Sequence, residues 1–111
     1  MSKVIVLGAV CALFLSGWTL SPKPSQAAVA PTVVKIQSMA FSPATITVAK
    51  GTRVTWKNLD SVSHTSTSNT GVWNSGTLGP GKSYGRRFTR KGTFPYHCAI
   101  HPSMTGTVVV K

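Results

Sequence analysis

The sequence of 111 residues predicts an all-β domain, either an antiparallel sandwich or a small barrel. Two observations lead to this prediction. From Thr32 onward, short β-branched and apolar segments alternate with polar residues at a period of two, and turn residues separate the segments. The same region shows no helical periodicity, which argues against a helical or mixed fold.

Six segments read as strands in chain order. In the second, Ile46 and Val48 share one face, and in the third, Val54 and Trp56 do so. Turn signals follow at 42–43, 50–51 and 58–60, and a polar loop spans 61–75. The predicted strands are residues 32–38, 44–50, 52–58, 83–90, 93–98 and 105–111.

Three residues test this reading of the pattern. Arg86 shares a strand face with apolar neighbours, which indicates an edge strand, a bulge between Arg86 and Arg87, or an arginine stem along apolar surface. Met39 ends an apolar stretch and is expected to fill the core. Trp73 lies in the polar loop, where we expect partial exposure.

The first residues resemble an export signal. Lys3 supplies a positive charge, Val4 to Leu15 form an apolar run too short to span a bilayer, and small residues follow. We expect a signal peptide over residues 1–27 with cleavage after Ala27, a lead-in over 28–31 and one domain over 32–111. An uncleaved membrane anchor is the alternative, although Pro22 and a short apolar run disfavour it.

The chain is strongly basic, with twelve Lys and Arg against one acid, Asp60. The formal charge is +11, and loss of Lys3 and Lys23 with the signal peptide leaves +9. This charge favours an acidic partner, an anionic surface or simply solubility. Export and the lack of stacking aromatics among the cations argue against nucleic acid.

Cys98 is the single cysteine that remains after cleavage, because Cys11 lies in the signal segment. An intramolecular disulfide is therefore impossible in the mature chain. The cysteine is a buried structural thiol, a bridge between two chains, or a metal ligand.

A regular spacing favours the metal ligand. Cys98, His101 and Met104 follow one another at intervals of three residues in the loop before the last strand, and His64 follows an earlier strand that a sandwich can bring close. A thiolate, two imidazoles and a thioether suit copper better than zinc, calcium or magnesium. His97 adjoins Cys98 on a strand and points to the other face, so we expect it not to bind metal.

Two long segments carry a family resemblance. "FSPATITVAKGTRVTWKNLDSVSHT" and "GTFPYHCAIHPSMTGTVVV" resemble the cupredoxins, or type 1 blue copper proteins, of the plastocyanin and amicyanin group. The short Cys-x2-His-x2-Met loop is similar to that of amicyanin. The resemblance implies a cupredoxin-like Greek-key β-sandwich of about seven or eight strands, with one copper ion bound by His64, Cys98, His101 and Met104.

The resemblance also implies roles for the surroundings of the site. His101 would reach the surface, and Asn58 would hydrogen-bond to the loop that carries Cys98. Thr65 stands where these families usually have asparagine, so the resemblance leaves open whether a second hydrogen bond between the loops forms at this position. The acidic patch of plant plastocyanins is missing, so a partner that docks on such a patch is not implied.

These features together predict an exported protein that carries single electrons between redox partners and is not an enzyme, since four protein ligands leave copper no position for substrate. The alternatives are a copper-binding or copper-delivery protein that uses the same site, and a structural sandwich in which Cys98 bridges two chains. We expect a monomer in the periplasm, with the thylakoid lumen or the exterior as alternatives. We expect redox protein partners with a negatively charged docking surface, no nucleic acid, and no stable membrane insertion after cleavage.

Overall fold

The computed structural model describes residues 31–111, and within them the chain forms eight β-strands and no helix. The predicted signal peptide and its cleavage point lie outside the described residues. No helix in the described part is long and apolar enough to cross a membrane. The strands are β1 (Val33–Gln37), β2 (Ala40–Ser42), β3 (Thr45–Val48), β4 (Thr52–Asn58), β5 (Thr67–Ser68), β6 (Ser83–Phe88), β7 (Gly92–His97) and β8 (Thr105–Val110).

The strands form two four-stranded sheets, ordered β2-β1-β4-β6 and β3-β8-β7-β5. The predicted all-β sandwich is confirmed, but the expectation of purely antiparallel pairing is wrong. β1 runs parallel to β4, with Val34 opposite Trp56, and β3 runs parallel to β8, with Ile46 opposite Val108. The chain changes sheets before and after β3, so each of these pairs joins strands that no hairpin connects.

Two strands, β2 and β5, were not predicted from the sequence because they are too short to show an alternation of apolar and polar residues. β2 pairs with β1 across a tight turn in which Ser38 and Met39 have φ values of 55° and 58°. β5 lies in the polar loop and pairs with the end of β7, where Thr67 is opposite His97. Pairing with an existing strand, rather than local preference, decides that these segments are extended.

The core lies between the sheets and is centred on Trp56, which is fully buried as its alternation with Val54 predicts. Its ring meets Tyr96 edge-on, with centroids 5.4 Å apart at 84°. Such aromatic contacts add to the large stabilisation that burial of these rings provides. The buried apolar residues are Val34, Ile36, Phe41, Ile46, Val48, Val54, Trp56, Trp73, Leu78, Phe88, Tyr96, Cys98, Met104, Val108 and Val110.

Two expectations about single side chains are wrong. Trp73 is buried, because its ring packs 5.6 Å from that of Trp56 and its Nε1 donates to Ser66 Oγ at 2.9 Å. Met39 is 46% exposed rather than part of the core. It occupies the tight turn after β1, not the end of a strand, so its side chain leaves the inward-facing row.

Arg86 lies on β6, which is an edge strand of the first sheet. The edge strand is one of the readings that the sequence offered, and the Arg86 Cζ lies 5.9 Å from the Phe88 ring centroid, which places the guanidinium over an aromatic ring. The register with β4 runs without interruption through Arg86 and Arg87. The alternative of a bulge between the two arginines is therefore wrong.

Candidate metal centre

Two histidines and one cysteine converge where several strands end. His64 lies between β4 and β5, Cys98 directly follows β7, and His101 lies in the loop before β8. Cys98 Sγ is 3.8 Å from His64 Nδ1 and 3.7 Å from His101 Nδ1. The three donor atoms all lie within 4.8 Å of one another, so a single ion fits among them.

The loop between β7 and β8 is closed by its own backbone. The Cys98 N–H donates to the Met104 carbonyl at 3.0 Å, and the Met104 N–H donates to the His101 carbonyl at 2.9 Å. Pro102 fixes the backbone dihedral directly after His101. Met104, the fourth residue predicted from the sequence, is buried at the end of this loop.

His64 is fully buried and held on two sides. Its backbone exchanges two hydrogen bonds with Leu78, at 3.0 and 2.7 Å. Its Nε2 lies 2.8 Å from Asp60 Oδ2, which leaves Nδ1 to face Cys98. A histidine that gives one ring nitrogen to a carboxylate keeps a fixed tautomer and orientation, as histidine ligands of metals usually do.

Asp60 is a residue that the sequence reading missed. Its carboxylate accepts hydrogen bonds from the backbone N–H groups of Ser38 and Met39 at 2.8 and 3.0 Å, and it contacts His64. The Met39 hydrogen bond, helped by His64 and Ser38, outweighs desolvation and lowers the pKa of Asp60. The sequence signal that could have pointed to this role is that Asp60 is the single acid of the chain and lies four residues before His64.

Asn58 does not make the contact that the family resemblance implied. Its Nδ2 donates to the carbonyls of Val62 and Leu78 at 2.8 and 2.9 Å, and its Oδ1 accepts from the Asp60 N–H at 2.9 Å. Both N–H donors are therefore used on the segments that flank His64. Asn58 braces the His64 side of the site and not the Cys98 loop.

Thr65 supplies the contact between the loops. Its Oγ1 accepts a 2.7 Å hydrogen bond from the Ala99 N–H, and its own N–H donates to Cys98 Sγ at 3.3 Å. A second hydroxyl, that of Thr67, lies 2.9 Å from Thr65 Oγ1. The second hydrogen bond between the loops, which the sequence left open at this position, is therefore present with Thr65 as its acceptor.

The Cys98 thiol is buried and has a perturbed acidity. Desolvation alone would raise its pKa, but hydrogen bonds from the backbone N–H groups of Thr65 and His101, together with the polar contacts to the rings of His64 and His101, outweigh it. The pKa falls from 9.0 to about 6. The side chain is therefore mostly a thiolate at neutral pH, which is the form that binds metals.

His97 lies outside this cluster, as its position on the strand predicted. Its Nδ1 is 2.6 Å from Asn69 Oδ1, on the opposite face of β7 from Tyr96 and Cys98. The site therefore has two histidines and not three.

The donor set is soft. One thiolate, two imidazole Nδ1 atoms and a neighbouring methionine are the ligands of copper sites that transfer electrons, whereas calcium and magnesium require oxygen ligands. The second nitrogen of His64 is already used by Asp60, so both histidines present the same ring atom to the centre. The residues present therefore fit a copper ion.

Comparison with known proteins agrees with this geometry. Residues 9–110 match the family model of the cupredoxin-like domain. The chain belongs to the cupredoxin-like family. Amicyanin of Paracoccus denitrificans is 37% identical over 84 residues, which cover 71% of this chain and 64% of that protein. Amicyanin-alpha of Methylorubrum extorquens is 35% identical over 86 residues, which cover 72% of this chain and 71% of that protein.

Solved cupredoxin structures share the fold. The oxidised state of an amicyanin mutant superposes with a TM-score of 0.69 at 34% identity, and the match covers 77% of this chain and 88% of the other. The cupredoxin fold predicted from the sequence is therefore confirmed, and amicyanins are among the relatives, as the short ligand loop indicated.

Proposed function

We propose that this cupredoxin is an exported type 1 copper protein that carries single electrons between redox partners. The observation that carries the proposal is the convergence of His64 Nδ1, His101 Nδ1 and the Cys98 thiolate within 4.8 Å. His64, Cys98, His101 and Met104 would hold one copper ion, and bound copper supplies a one-electron couple. Solved amicyanins include a Cu(I) form, which supports this metal for a relative that shares the fold.

The contribution of the chain is to hold the donors still. Cys98 extends a paired strand, His64 is fixed by Leu78 and Asp60, and the last loop is closed on itself by the Met104 backbone. Donors that keep their positions in both oxidation states add little reorganisation to electron transfer. The rigid, hydrogen-bonded surroundings of the site therefore favour a carrier.

A carrier is also favoured over an enzyme. Three of the four proposed ligands are buried, and His101 is only half-buried. Four protein donors around one ion leave no position for a substrate to bind it. The half-buried His101 offers an electron a short path from the site to the surface.

The docking surface is proposed around that histidine. Ala99, Ile100 and Pro102 are exposed beside His101, and Ile100 is 46% exposed. Apolar contact there would bring a redox partner close to the metal, and the basic surface of the domain would steer partners that carry negative charge. We propose a monomer that meets such partners transiently.

Export rests on the sequence pattern of the first residues. Cleavage after Ala27 would release a periplasmic protein, and the molecular mass of the purified protein checks the cleavage point.

The proposed function is tested by metal analysis and redox titration of that purified protein. One copper ion per chain with a reversible one-electron transition supports a carrier. Copper that binds without such a transition would instead favour the delivery protein.

A further inference from the structure

The outer face of the first sheet is strongly basic. β1 and β4 alternate between buried residues and exposed ones, and the exposed positions include Lys35, Arg53 and Lys57. Arg87 is exposed on the neighbouring strand β6. We call these four residues the basic sheet face.

Like charges lie directly opposite each other on this face. Lys35 is the register partner of Lys57, and Arg53 is the partner of Arg87. Opposed like charges on neighbouring strands destabilise a sheet. Repulsion within these two pairs therefore lowers the stability of the fold at two places on one face.

No carboxylate offsets this charge within residues 31–111. Asp60 is the single acid of the whole chain, and its carboxylate is used by Ser38, Met39 and His64. The one side-chain contact of this carboxylate found among the described residues is that with the imidazole of His64. An anion from outside the chain is what can neutralise the basic sheet face.

The face is broad and lacks an apolar centre. Gly85 has no side chain, and the guanidinium of Arg53 lies across it, so close that an added Cβ would be 2.6 Å from Nη2. Arg87 Nη1 donates to the Gly51 carbonyl at 2.7 Å, which holds this cation along the sheet. Val33, at the start of β1, is the exposed large apolar residue on these strands.

This composition distinguishes between classes of partner. Specific protein interfaces have a buried centre rich in aromatic and apolar residues, which this face does not have. Adsorption to an anionic bilayer needs only several cations within reach of the lipid headgroups. We propose that the basic sheet face binds reversibly to the surface of a membrane that contains anionic lipids.

Binding of this kind would leave the candidate metal centre accessible. Lys57 is followed by Asn58, which braces the segments around His64, so the basic sheet face ends beside the site without including its ligands. The proposal concerns lateral attachment and not insertion. It does not depend on bound copper, so the metal-free protein should bind equally well.

The test uses the purified exported protein and vesicles of phosphatidylcholine, with or without phosphatidylglycerol as a minority lipid. We expect binding to the anionic vesicles alone, measured by co-sedimentation, and loss of binding as salt increases. The double variant Lys35→Gln/Lys57→Gln should bind roughly thirtyfold more weakly, since each cation near an anionic surface contributes about fivefold.

A matched control removes two charges elsewhere. Lys91 lies in the turn between β6 and β7, and Lys111 follows β8 in the other sheet. Lys91→Gln/Lys111→Gln should weaken binding much less than the face variant. An equal loss in both double variants would overturn the proposal, because net charge alone would then explain adsorption.

Two further measurements distinguish a lipid partner from a protein partner and check that the double variant is folded. Failure to bind phosphatidylglycerol vesicles would overturn the proposal, and retention on immobilised polyglutamate in that case would assign the face to an acidic protein. The thermal midpoint of Lys35→Gln/Lys57→Gln should equal or exceed that of the unmodified protein, because an opposed pair of like charges is removed.

Discussion

Asp60 Oδ2 lies 2.8 Å from His64 Nε2, while His64 Nδ1 faces Cys98 Sγ. The single carboxylate of the chain thus orients a buried histidine of the candidate metal centre. The same carboxylate holds the tight turn after β1 through Ser38 and Met39. One side chain therefore ties the position of a proposed ligand to the first sheet.

Asp60→Asn should change the copper site without unfolding the domain. The amide removes the negative charge behind His64, so the imidazole becomes a weaker donor and the oxidised state loses more stability than the reduced state. We expect a raised reduction potential and a copper affinity lower by about 10- to 100-fold. An unchanged potential in a folded, copper-loaded variant would show that Asp60 acts on the turn alone.

Thr65→Val should loosen the contact between the two loops of the site. The variant keeps the backbone N–H that reaches Cys98 but removes the acceptor of the Ala99 N–H. A partly buried donor without a partner costs about 1–3 kcal/mol of unfolding free energy, which denaturant unfolding measures.

Thr67→Val is the matched control for that variant. Thr67 contacts the Thr65 hydroxyl but not the Cys98 loop directly, so its loss should cost less. Thr65→Asn should recover part of the lost stability, because asparagine offers an acceptor at the same position. Equal losses in Thr65→Val and Thr67→Val would contradict this account of Thr65.

The metal-free protein should become more stable as pH rises from about 6 to 9. The folded pKa of Cys98 is about 6 and the ordinary value is 9.0, so the unfolded chain binds more protons across this interval. The contribution of the thiolate is complete above 9.0 and is lost as pH falls through about 6. Cys98→Ser removes the thiol and should flatten this part of the stability profile.

Gly106→Ala should destabilise the domain through the core. An added Cβ would overlap the ring of Tyr96, which is fully buried. We expect a loss of about 1–3 kcal/mol in thermal or denaturant unfolding. Gly79→Ala is the control, since its added Cβ would meet only Lys82 Cγ at 3.9 Å, and an equal loss there would rule out the overlap as the cause.

Much of the fold follows from local alternation. The pairs Ile46 with Val48 and Val54 with Trp56 are buried as their spacing predicted, because each lies on the inward face of a strand. β2 and β5 were missed because their extended form depends on β1 and β7. The parallel pairing of β1 with β4 and of β3 with β8 was missed for a similar reason, since it depends on where the chain crosses from one sheet to the other.

Part of the candidate site is local in sequence. Cys98 and His101 lie three residues apart in one loop and converge with His64 in the structure, whereas Met104 stays a predicted ligand. The residues that hydrogen-bond to the candidate ligands and their loops could not be predicted in this way, because they act through contacts between distant segments. Asp60 binds the turn after β1, and Asn58 binds the segments that flank His64. The residues next to Asp60 and Asn58 in the sequence give no sign of these contacts.

The visible absorption spectrum of the copper-loaded protein, compared with that of Cys98→Ser, tests the central claim most directly. A thiolate bound to Cu(II) gives an intense charge-transfer band that a hydroxyl cannot give. We predict an intense band toward the red end of the visible spectrum in the unmodified protein and its loss in Cys98→Ser. A colourless copper complex of the unmodified protein, or a Cys98→Ser protein that keeps the band, would contradict the assignment of Cys98 and the electron-carrier function that rests on it.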